Sequence, residues 1–290
     1  MGLFVFTQGL PKAVGVHRLA NIKHLALDLD GTIYLGGRLF EWTLPFLDRL
    51  KALGIGRTFL TNNSSRSTEQ YVHHLREMGI PATADEIYSS THSTIDYLRA
   101  RRPAPRRVYV MGTPALREEF AAAGFEVAGE GATDEPDLVI VAFDTTLEYP
   151  RVCRAAWWIS RGKPFIATHP DKVCPTDKLT FLVDCGAMTQ MLAHATGRQP
   201  EAVLGKPNPQ MLTGILRRHG LAANQLGMVG DRLYTDMALA RAAGAMGILV
   251  LSGEATREEA EAMKPAPDLI VAHVGELSEK LAGDREVSRC

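Results

Sequence analysis

The chain has 290 residues, a formal net charge of −1 and 46% hydrophobic residues, which is enough length for two ordinary domains with buried cores. The near-zero charge gives no sign of a nucleic-acid-binding surface, and no apolar run approaches the roughly 20 residues that span a bilayer. Four cysteines without CxxC spacing suit a reducing compartment. We therefore expect a cytoplasmic protein with neither nucleic acid nor membrane as a partner, and we assign no role to residues 1–22.

Short apolar runs alternate with helical patterns along the whole chain. The runs that predict strands are His24–Leu29, Arg57–Leu60, Val108–Met111, Leu138–Phe143, Phe165–Thr168, Gly227–Val229, Ile248–Leu251 and Leu269–Val271. Helical spacing of leucines, as in Leu44 to Leu53, lies between them, and Ser67 with Gln70 has the pattern of a capping box. Alternation of this kind predicts an α/β fold with mainly parallel sheets.

The first predicted strand ends in two carboxylates one residue apart, Asp28 and Asp30, followed by Gly31. In open parallel sheets ligands bind beyond the carboxyl ends of the strands. If the chain leaves the strand here, as Gly31 permits, both carboxylates reach one pocket. A bound divalent cation would then keep the nucleophile ionised despite their repulsion. The alternative is that the two acids only cap a turn.

The second predicted strand ends in a cluster of hydroxyls and amides, Thr61-Asn62-Asn63-Ser64-Ser65. Together with free backbone N–H groups, such a cluster can donate hydrogen bonds to phosphate oxygens. Ordinary turn chemistry explains the same composition equally simply.

The interval between Ser65 and Lys206 is longer than one crossover needs, and it contains its own alternation of strands and helices. We therefore predict an inserted second domain at residues 89–186, with residues 1–88 and 187–290 forming the first. Pro207 restricts the backbone of Lys206, and Asn208 and Pro209 are typical of a helix start, so the lysine is held just before a helix.

Two more carboxylates, Asp231 and Asp236, follow the predicted strand that ends at Val229. We predict that Asp231 binds a metal ion directly. Asp236, one layer further from the metal, would orient a water or the lysine. A helix cap is the alternative for Asp236. Because none of these motifs offers Cys or His, oxygen ligands favour Mg²⁺ over zinc.

The order of these motifs, DxDGT, TNNS, GKPNP and GDRLYTD, closely resembles that of the haloacid-dehalogenase (HAD) superfamily, and the residues within them are most similar to its type IIA subgroup. The resemblance runs from about residue 22 to 285. It implies a Rossmann-like core with an inserted α/β cap of the C2 type. It also implies that Asp28 attacks phosphorus to give an aspartyl-phosphate, and that Asp30 serves as the acid and base. Phosphate-binding candidates are Thr61, Lys206, Gly31, Asn62 and Asn63; metal-binding candidates are Asp28, Asp30 through its carbonyl, and Asp231.

The predicted cap contains Ala167-Thr168-His169-Pro170-Asp171, which resembles a cap loop that faces the core site in the subgroup. We expect His169 and Asp171 to contact substrate, although a proline turn with an aspartate cap explains them equally well. The predicted activity is Mg²⁺-dependent hydrolysis of a small-molecule phosphate ester. Alternatives are a phosphotransferase or mutase on the same core, and a signalling module that keeps its phosphoaspartate. The physiological ester and a homodimeric state are left open by the sequence.

Overall fold

The computed structural model of the chain describes residues 19–175 and 179–287. Its strands are β1 (His24–Leu27), β2 (Tyr34–Leu35), β3 (Arg38–Leu39), β4 (Gly56–Thr61), β5 (Ile87–Ser89), β6 (Arg107–Met111), β7 (Glu126–Val127), β8 (Leu138–Val141), β9 (Phe165–Ala167), β10 (Val173–Pro175), β11 (Phe181–Val183), β12 (Ala202–Val203), β13 (Leu226–Gly230), β14 (Met246–Val250) and β15 (Leu269–Val271). Its helices are α1 (Thr43–Ala52), α2 (Thr68–Glu77), α3 (Ser90–Ala100), α4 (Pro114–Ala122), α5 (Tyr149–Ser160), α6 (Cys185–Thr196), α7 (Gln210–His219), α8 (Ala238–Ala243), α9 (Arg257–Ala262) and α10 (Val274–Val287). All strands predicted from the sequence are present, and the α/β class is confirmed.

The first sheet is parallel, with strand order β15-β14-β13-β1-β4-β5. One of its faces packs against α1, α2 and α10 through side chains such as Phe46, Leu75 and Leu277. The other face packs against α7 and α8 through Met211 and Leu239. The chain runs from β1 outward to β5 on one side and from β13 outward to β15 on the other. The boundary between β1 and β13 is therefore a topological switch point, where ligands bind in open α/β sheets.

The second sheet is also parallel, with strand order β12-β9-β8-β6-β7. Its two faces carry separate apolar cores, one with α5 and α6 around Trp158 and Met188, the other with α3 and α4 around Leu98 and Phe120. Two short antiparallel ribbons, β2–β3 and β10–β11, lie outside the sheets. The predicted second folded unit thus has its own sheet and cores.

Contacts with the second sheet continue beyond residue 186. Helix α6 packs on the second sheet, and β12 pairs with β9 through Ala202 and Val203. The sequence placed the boundary at Gly186, but that glycine lies inside α6, where a side chain would collide with the backbone of Pro170. We propose that the second unit extends to about residue 204.

Several helices begin or end at capping residues and glycines that are visible in the sequence. Ser67 and Gln70 form the predicted capping box of α2, and Gly220 and Gly244 end α7 and α8 in the left-handed conformation. Helix α7 begins at Gln210, one residue later than predicted, and Asn208 Oδ1 accepts a hydrogen bond from the Gln210 N–H at 3.1 Å. None of the helices in the described ranges is long and apolar enough to cross a bilayer.

The segment predicted as an extension, residues 1–22, is described only from residue 19. Leu19 and Ile22 are buried in the core beneath the first sheet, so residues 19–22 belong to the fold. Residues 1–18 lie outside the described residues.

Candidate active site

A cavity of about 770 Å³ lies at the carboxyl ends of β1, β4 and β13. The predicted site residues that line it are Asp28, Asp30, Gly31, Thr61, Asn62, Asn63, Asp171, Lys206 and Asp231. Side chains that are more than a hundred residues apart in sequence therefore meet where the topology predicts a ligand. Asp236 and His169 lie behind this lining.

Asp28 and Asp30 both reach the cavity because the chain leaves β1 after Leu27. The backbone N–H of Asp28 still donates to Val229 O at 2.9 Å, which holds it beside β13. Gly31 has φ +80 and no side chain, so the turn can approach the carboxylate of Asp231. Burial raises the pKa of Asp30, although the backbone N–H of Gly36 donates to it and opposes the shift.

Lys206 is buried and pairs with two carboxylates. Its Nζ donates to Asp28 Oδ1 and lies 2.8 Å from Asp236 Oδ1. Burial lowers the pKa of Lys206, but the attraction of Asp236 and Asp28 outweighs it, so the pKa stands well above its ordinary value. Burial raises the pKa of Asp28 well above its usual range, Lys206 opposes this, and Asp236 and Asp231 add to it. The lysine is therefore the fixed positive charge among these acids.

Asp231 carries an oxygen that its neighbours leave unsatisfied. Its Oδ2 accepts a hydrogen bond from the Glu254 N–H at 2.8 Å, whereas its buried Oδ1 has no partner among the described residues. Carboxylate oxygens of Asp28, Asp231 and Asp236 lie within 4.8 Å of one another. Burial raises the pKa of Asp231 to about 6, with Asp236 adding to the shift. A crowded set of oxygens with one orphaned atom fits a hard divalent cation.

The loop Thr61–Ser65 is ordered by its own side chains. Thr61 Oγ1 accepts from the Asn63 N–H at 3.1 Å, and Asn63 Oδ1 accepts from the N–H and the hydroxyl of Ser65 at 2.9 and 2.7 Å. Asn62 Oδ1 accepts from the Lys206 N–H at 2.6 Å, and its Nδ2 donates to Lys206 O at 3.1 Å. The loop after β4 is thus fixed to the segment that carries the lysine.

Asp171 reaches the site from the second unit. It lines the cavity and accepts a hydrogen bond from Asn62 Nδ2 at 3.1 Å. Burial raises its pKa, but the interactions with His169 and Asn62 outweigh this, so the pKa lies below its usual range. The structure therefore brings this predicted residue to the core site.

His169 lies behind the residues that line the cavity. Its ring is fully buried, with Nδ1 3.4 Å from Asp171 Oδ2 and Nε2 3.4 Å from Asp184 Oδ1. One nitrogen or carboxylate oxygen from each of His169, Asp171 and Asp184 lies within 4.8 Å of the others, so the three side chains form a cluster. We assign His169 to holding Asp171 rather than to direct contact with substrate, since the ring lies behind the cavity lining.

Several lining residues were missed by the sequence reasoning, namely Leu35, Arg38, Asp184, Arg232, Ser252 and Glu254. The loop Ser252–Glu254 follows β14, so the rule that ligands bind at strand ends could have indicated it. Asp184 gives no such signal, because it is the N-cap of α6 and reaches the cavity only through the packing of the second unit.

Comparison with known proteins identifies the family to which the chain belongs. One family profile, described as haloacid dehalogenase-like hydrolase, matches residues 25–126, and a second, described as HAD-hydrolase-like, matches residues 203–277. The acid sugar phosphatase of Staphylococcus aureus (strain MRSA252) is 32% identical over 239 residues, which are 82% of this chain and 90% of that protein.

Solved structures of phosphatases are also similar over most of the chain. The 4-nitrophenylphosphatase of Thermotoga maritima has a TM-score of 0.83 at 39% identity, covering 90% of this chain and 98% of that one. The glycerol phosphate phosphatase of Mycobacterium tuberculosis, solved in complex with magnesium, has a TM-score of 0.81 at 31% identity, covering 91% and 77%. The chain belongs to the haloacid dehalogenase-like hydrolases and is an enzyme of the phosphoric monoester hydrolase class. Within that family it falls in the type IIA subgroup, as its motifs predict.

Proposed function

We propose that the enzyme hydrolyses small-molecule phosphate monoesters in a Mg²⁺-dependent reaction that passes through an aspartyl-phosphate at Asp28. The observation that carries this proposal is the position of Asp28. Its carboxylate is buried at the bottom of the cavity, paired with Lys206, and within 4.8 Å of the carboxylate oxygens of Asp231 and Asp236. This arrangement leaves a carboxylate oxygen free to attack among groups that neutralise negative charge.

In the proposed first step an oxygen of Asp28 attacks phosphorus, and the bond from phosphorus to the leaving oxygen breaks. Asp30 gives its proton to that oxygen, a role that its raised pKa supports because the carboxyl keeps its proton to higher pH. In the second step Asp30 takes a proton from water, which attacks phosphorus and releases inorganic phosphate from Asp28. Thr61 and the ammonium of Lys206 hold the phosphate oxygens.

Asp28, Asp231 and the backbone carbonyl of Asp30 are the groups that we propose to hold Mg²⁺. The unpartnered Oδ1 of Asp231 and the oxygen-only ligand set support this. The related glycerol phosphate phosphatase of Mycobacterium tuberculosis was solved with magnesium and with calcium, both hard cations. When bound, such an ion supplies positive charge for the phosphate oxygens.

We further propose that the leaving group is a small hydroxylated one, such as a polyol or a sugar. The second unit presents Asp171 and Asp184 to the cavity, and carboxylates accept hydrogen bonds from hydroxyls while repelling anionic groups. Named relatives act on sugar phosphates and glycerol phosphate, which supports the same class.

Phosphate release from a panel of esters tests the proposal. We expect release from polyol and sugar phosphates with Mg²⁺, and loss of release when EDTA removes the ion. Release that persists in EDTA would contradict the metal assignment, and equal or faster release from phosphoglycolate would contradict the leaving-group assignment. Transfer to an added sugar in place of water would favour the phosphotransferase alternative, and a long-lived phosphoaspartate would favour the signalling alternative.

A further inference from the structure

Ser64 joins the loop after β4 to the second unit. The side chain is fully buried, and its Oγ accepts a hydrogen bond from the Phe143 N–H at 3.1 Å. The same oxygen lies 3.1 Å from Thr168 Oγ1. Because a hydroxyl has one donor and two acceptor positions, Ser64 can accept from Phe143 and still share a hydrogen bond with Thr168. Phe143 and Thr168 follow β8 and β9, so one hydroxyl from the first unit ties together two strand ends of the second.

A third strand of the second sheet reaches the same loop. Ser65 O accepts a hydrogen bond at 3.0 Å from the hydroxyl of Thr113, the N-cap of α4, which follows β6. Since β9, β8 and β6 are neighbours in the sheet, Ser64 and Ser65 lie across the carboxyl ends of three adjacent strands. The loop is therefore a docking point for the second unit.

Asn62, in the same loop, continues the connection to the lysine. Its Nδ2 contacts Asp171 Oδ2 from the second unit and Lys206 O, both at 3.1 Å, while its Oδ1 accepts from the Lys206 N–H. Gly205 leaves room for this approach, because a Cβ there would lie 2.7 Å from Asn62 Oδ1 and 2.6 Å from His169 Cβ. One loop thus determines the position of the cavity's cap residue Asp171 and of Lys206.

We propose that Ser64 is a positioning residue that holds the second unit over the cavity, so that the leaving group meets Asp171 at the correct distance from the phosphate site. Removing its hydroxyl leaves the Phe143 N–H without its partner in a buried place, where unpaired polar groups are costly, and leaves the Thr168 hydroxyl with Cys185 Sγ at 3.5 Å. The second unit then relaxes away from the loop. This inference rests on the proposed function, because its kinetic effect is read through phosphate ester hydrolysis.

The test compares Ser64→Ala with Ser93→Ala. Ser93, on α3, is almost fully buried, and its hydroxyl has no hydrogen-bond partner among the described residues, so it controls for loss of a buried hydroxyl alone. For glycerol phosphate with Mg²⁺, whose leaving group carries hydroxyls, we expect Ser64→Ala to raise KM by about tenfold, the effect of one lost hydrogen bond. Inhibition by inorganic phosphate, which has no leaving group, should change by less than about twofold. Ser93→Ala should alter neither value.

Hydrogen exchange provides a readout that needs no activity. We expect the Phe143 amide to exchange about tenfold faster in Ser64→Ala and unchanged in Ser93→Ala. If Ser64→Ala does not fold, Thr168→Val removes the same contact from the other side and should give the same rise in KM. The inference is overturned if exchange at Phe143 is unaffected, or if KM and phosphate inhibition weaken by the same factor. A wild-type enzyme that releases no phosphate, but whose Phe143 amide responds to Ser64→Ala, overturns the proposed function alone.

Discussion

At the scale of single residues, two opposing effects act on the protonation of the Asp28 carboxyl. Burial and the neighbouring acids raise its pKa, while Lys206 keeps the ionised form available. A neutral side chain of the same shape therefore removes the nucleophile without removing a net stabilising charge. A single variant at this position should therefore lose activity and keep its stability.

For Asp28→Asn we expect phosphate release to fall by about 10⁴-fold or more, because no nucleophilic oxygen remains to form the covalent intermediate. The thermal midpoint measured in EDTA should stay within a few degrees of wild type. Asp48→Asn, an exposed position on α1, is the matched control and should change neither value. Substantial residual phosphate release from Asp28→Asn would contradict its role.

For Lys206 we expect a substitution to lower the stability of the fold, because both of its partners are acidic and buried. Lys206→Met leaves Asp28 and Asp236 without their counter-ion, and breaking a buried pair in this way costs about 3–5 kcal/mol of unfolding free energy. Lys163→Met removes a pair with Glu135, whose side chain is 64% exposed, and should cost less than about 1 kcal/mol. Urea unfolding in EDTA measures both. Equal costs would show that the acids around Lys206 do not depend on it.

At the scale of elements, the loop after β14 supports Asp231, the acid that we propose to bind Mg²⁺. The Glu254 N–H donates to Asp231 Oδ2, the Ser252 hydroxyl donates to Gly31 O at 2.6 Å, and a side chain at Gly253 would collide with the Asp231 carboxylate. The loop therefore orients the carboxylate of Asp231. Groups that orient metal ligands typically affect metal affinity by 10- to 100-fold when mutated.

We accordingly expect Gly253→Ala to raise the Mg²⁺ concentration for half-maximal phosphate release by about tenfold. The reason is that the added methyl group displaces the carboxylate of Asp231. Gly283→Ala, in α10 with open space around its Cα, should leave that concentration unchanged and stabilise the helix by up to about 1 kcal/mol. A Mg²⁺ titration of phosphate release distinguishes them, and identical curves for the two variants would rule out the role of the loop.

Strands and helices with a clear residue pattern could be predicted from the sequence. Features that depend on packing between distant segments could not. Strands such as β1 and β13 are continuous apolar runs that end in acids, so both the strands and the place where Asp28 and Asp231 meet follow from pattern and topology. Strand β12 has only two residues and no alternation to detect. Gly186 was predicted as the end of the second domain, yet it permits the close approach of α6 to Pro170, a tertiary contact that single-sequence patterns do not contain.

For the molecule as a whole, the contribution of the second unit to the site was the least predictable part. Asp171 was expected there from resemblance, whereas the burial of His169 between Asp171 and Asp184 depends on how the loop folds against α6. Pairings of this kind are set by three-dimensional packing. The cytoplasmic location stays a prediction of the sequence, and the oligomeric state stays open.

The cluster of Asp171, His169 and Asp184 links the stability of the whole fold to pH. Burial raises the pKa of Asp184 from 3.8 to about 6, with His169 opposing the shift. The fold therefore favours the protonated carboxyl, and this contribution to stability is complete below about pH 4 and is lost as pH rises through about 6. The pKa shift of Asp137 has the opposite sign, because the N–H groups of Arg107 and Arg106 donate to its carboxylate at 2.9 and 2.8 Å and lower its pKa.

We expect Asp184→Asn, which is neutral at every pH, to match wild type in unfolding free energy near pH 4 and to exceed it by about 3 kcal/mol near pH 7, since each pKa unit corresponds to about 1.4 kcal/mol. Asp137→Asn should instead be less stable than wild type near pH 7, with the difference shrinking as pH falls. Urea unfolding in EDTA between about pH 2 and 8 measures both profiles, because Asp137 in the fold titrates below its ordinary pKa of 3.8. If Asp184→Asn is the less stable protein at pH 7, the ion pair with His169 outweighs burial, and the ionised carboxylate holds the second unit together.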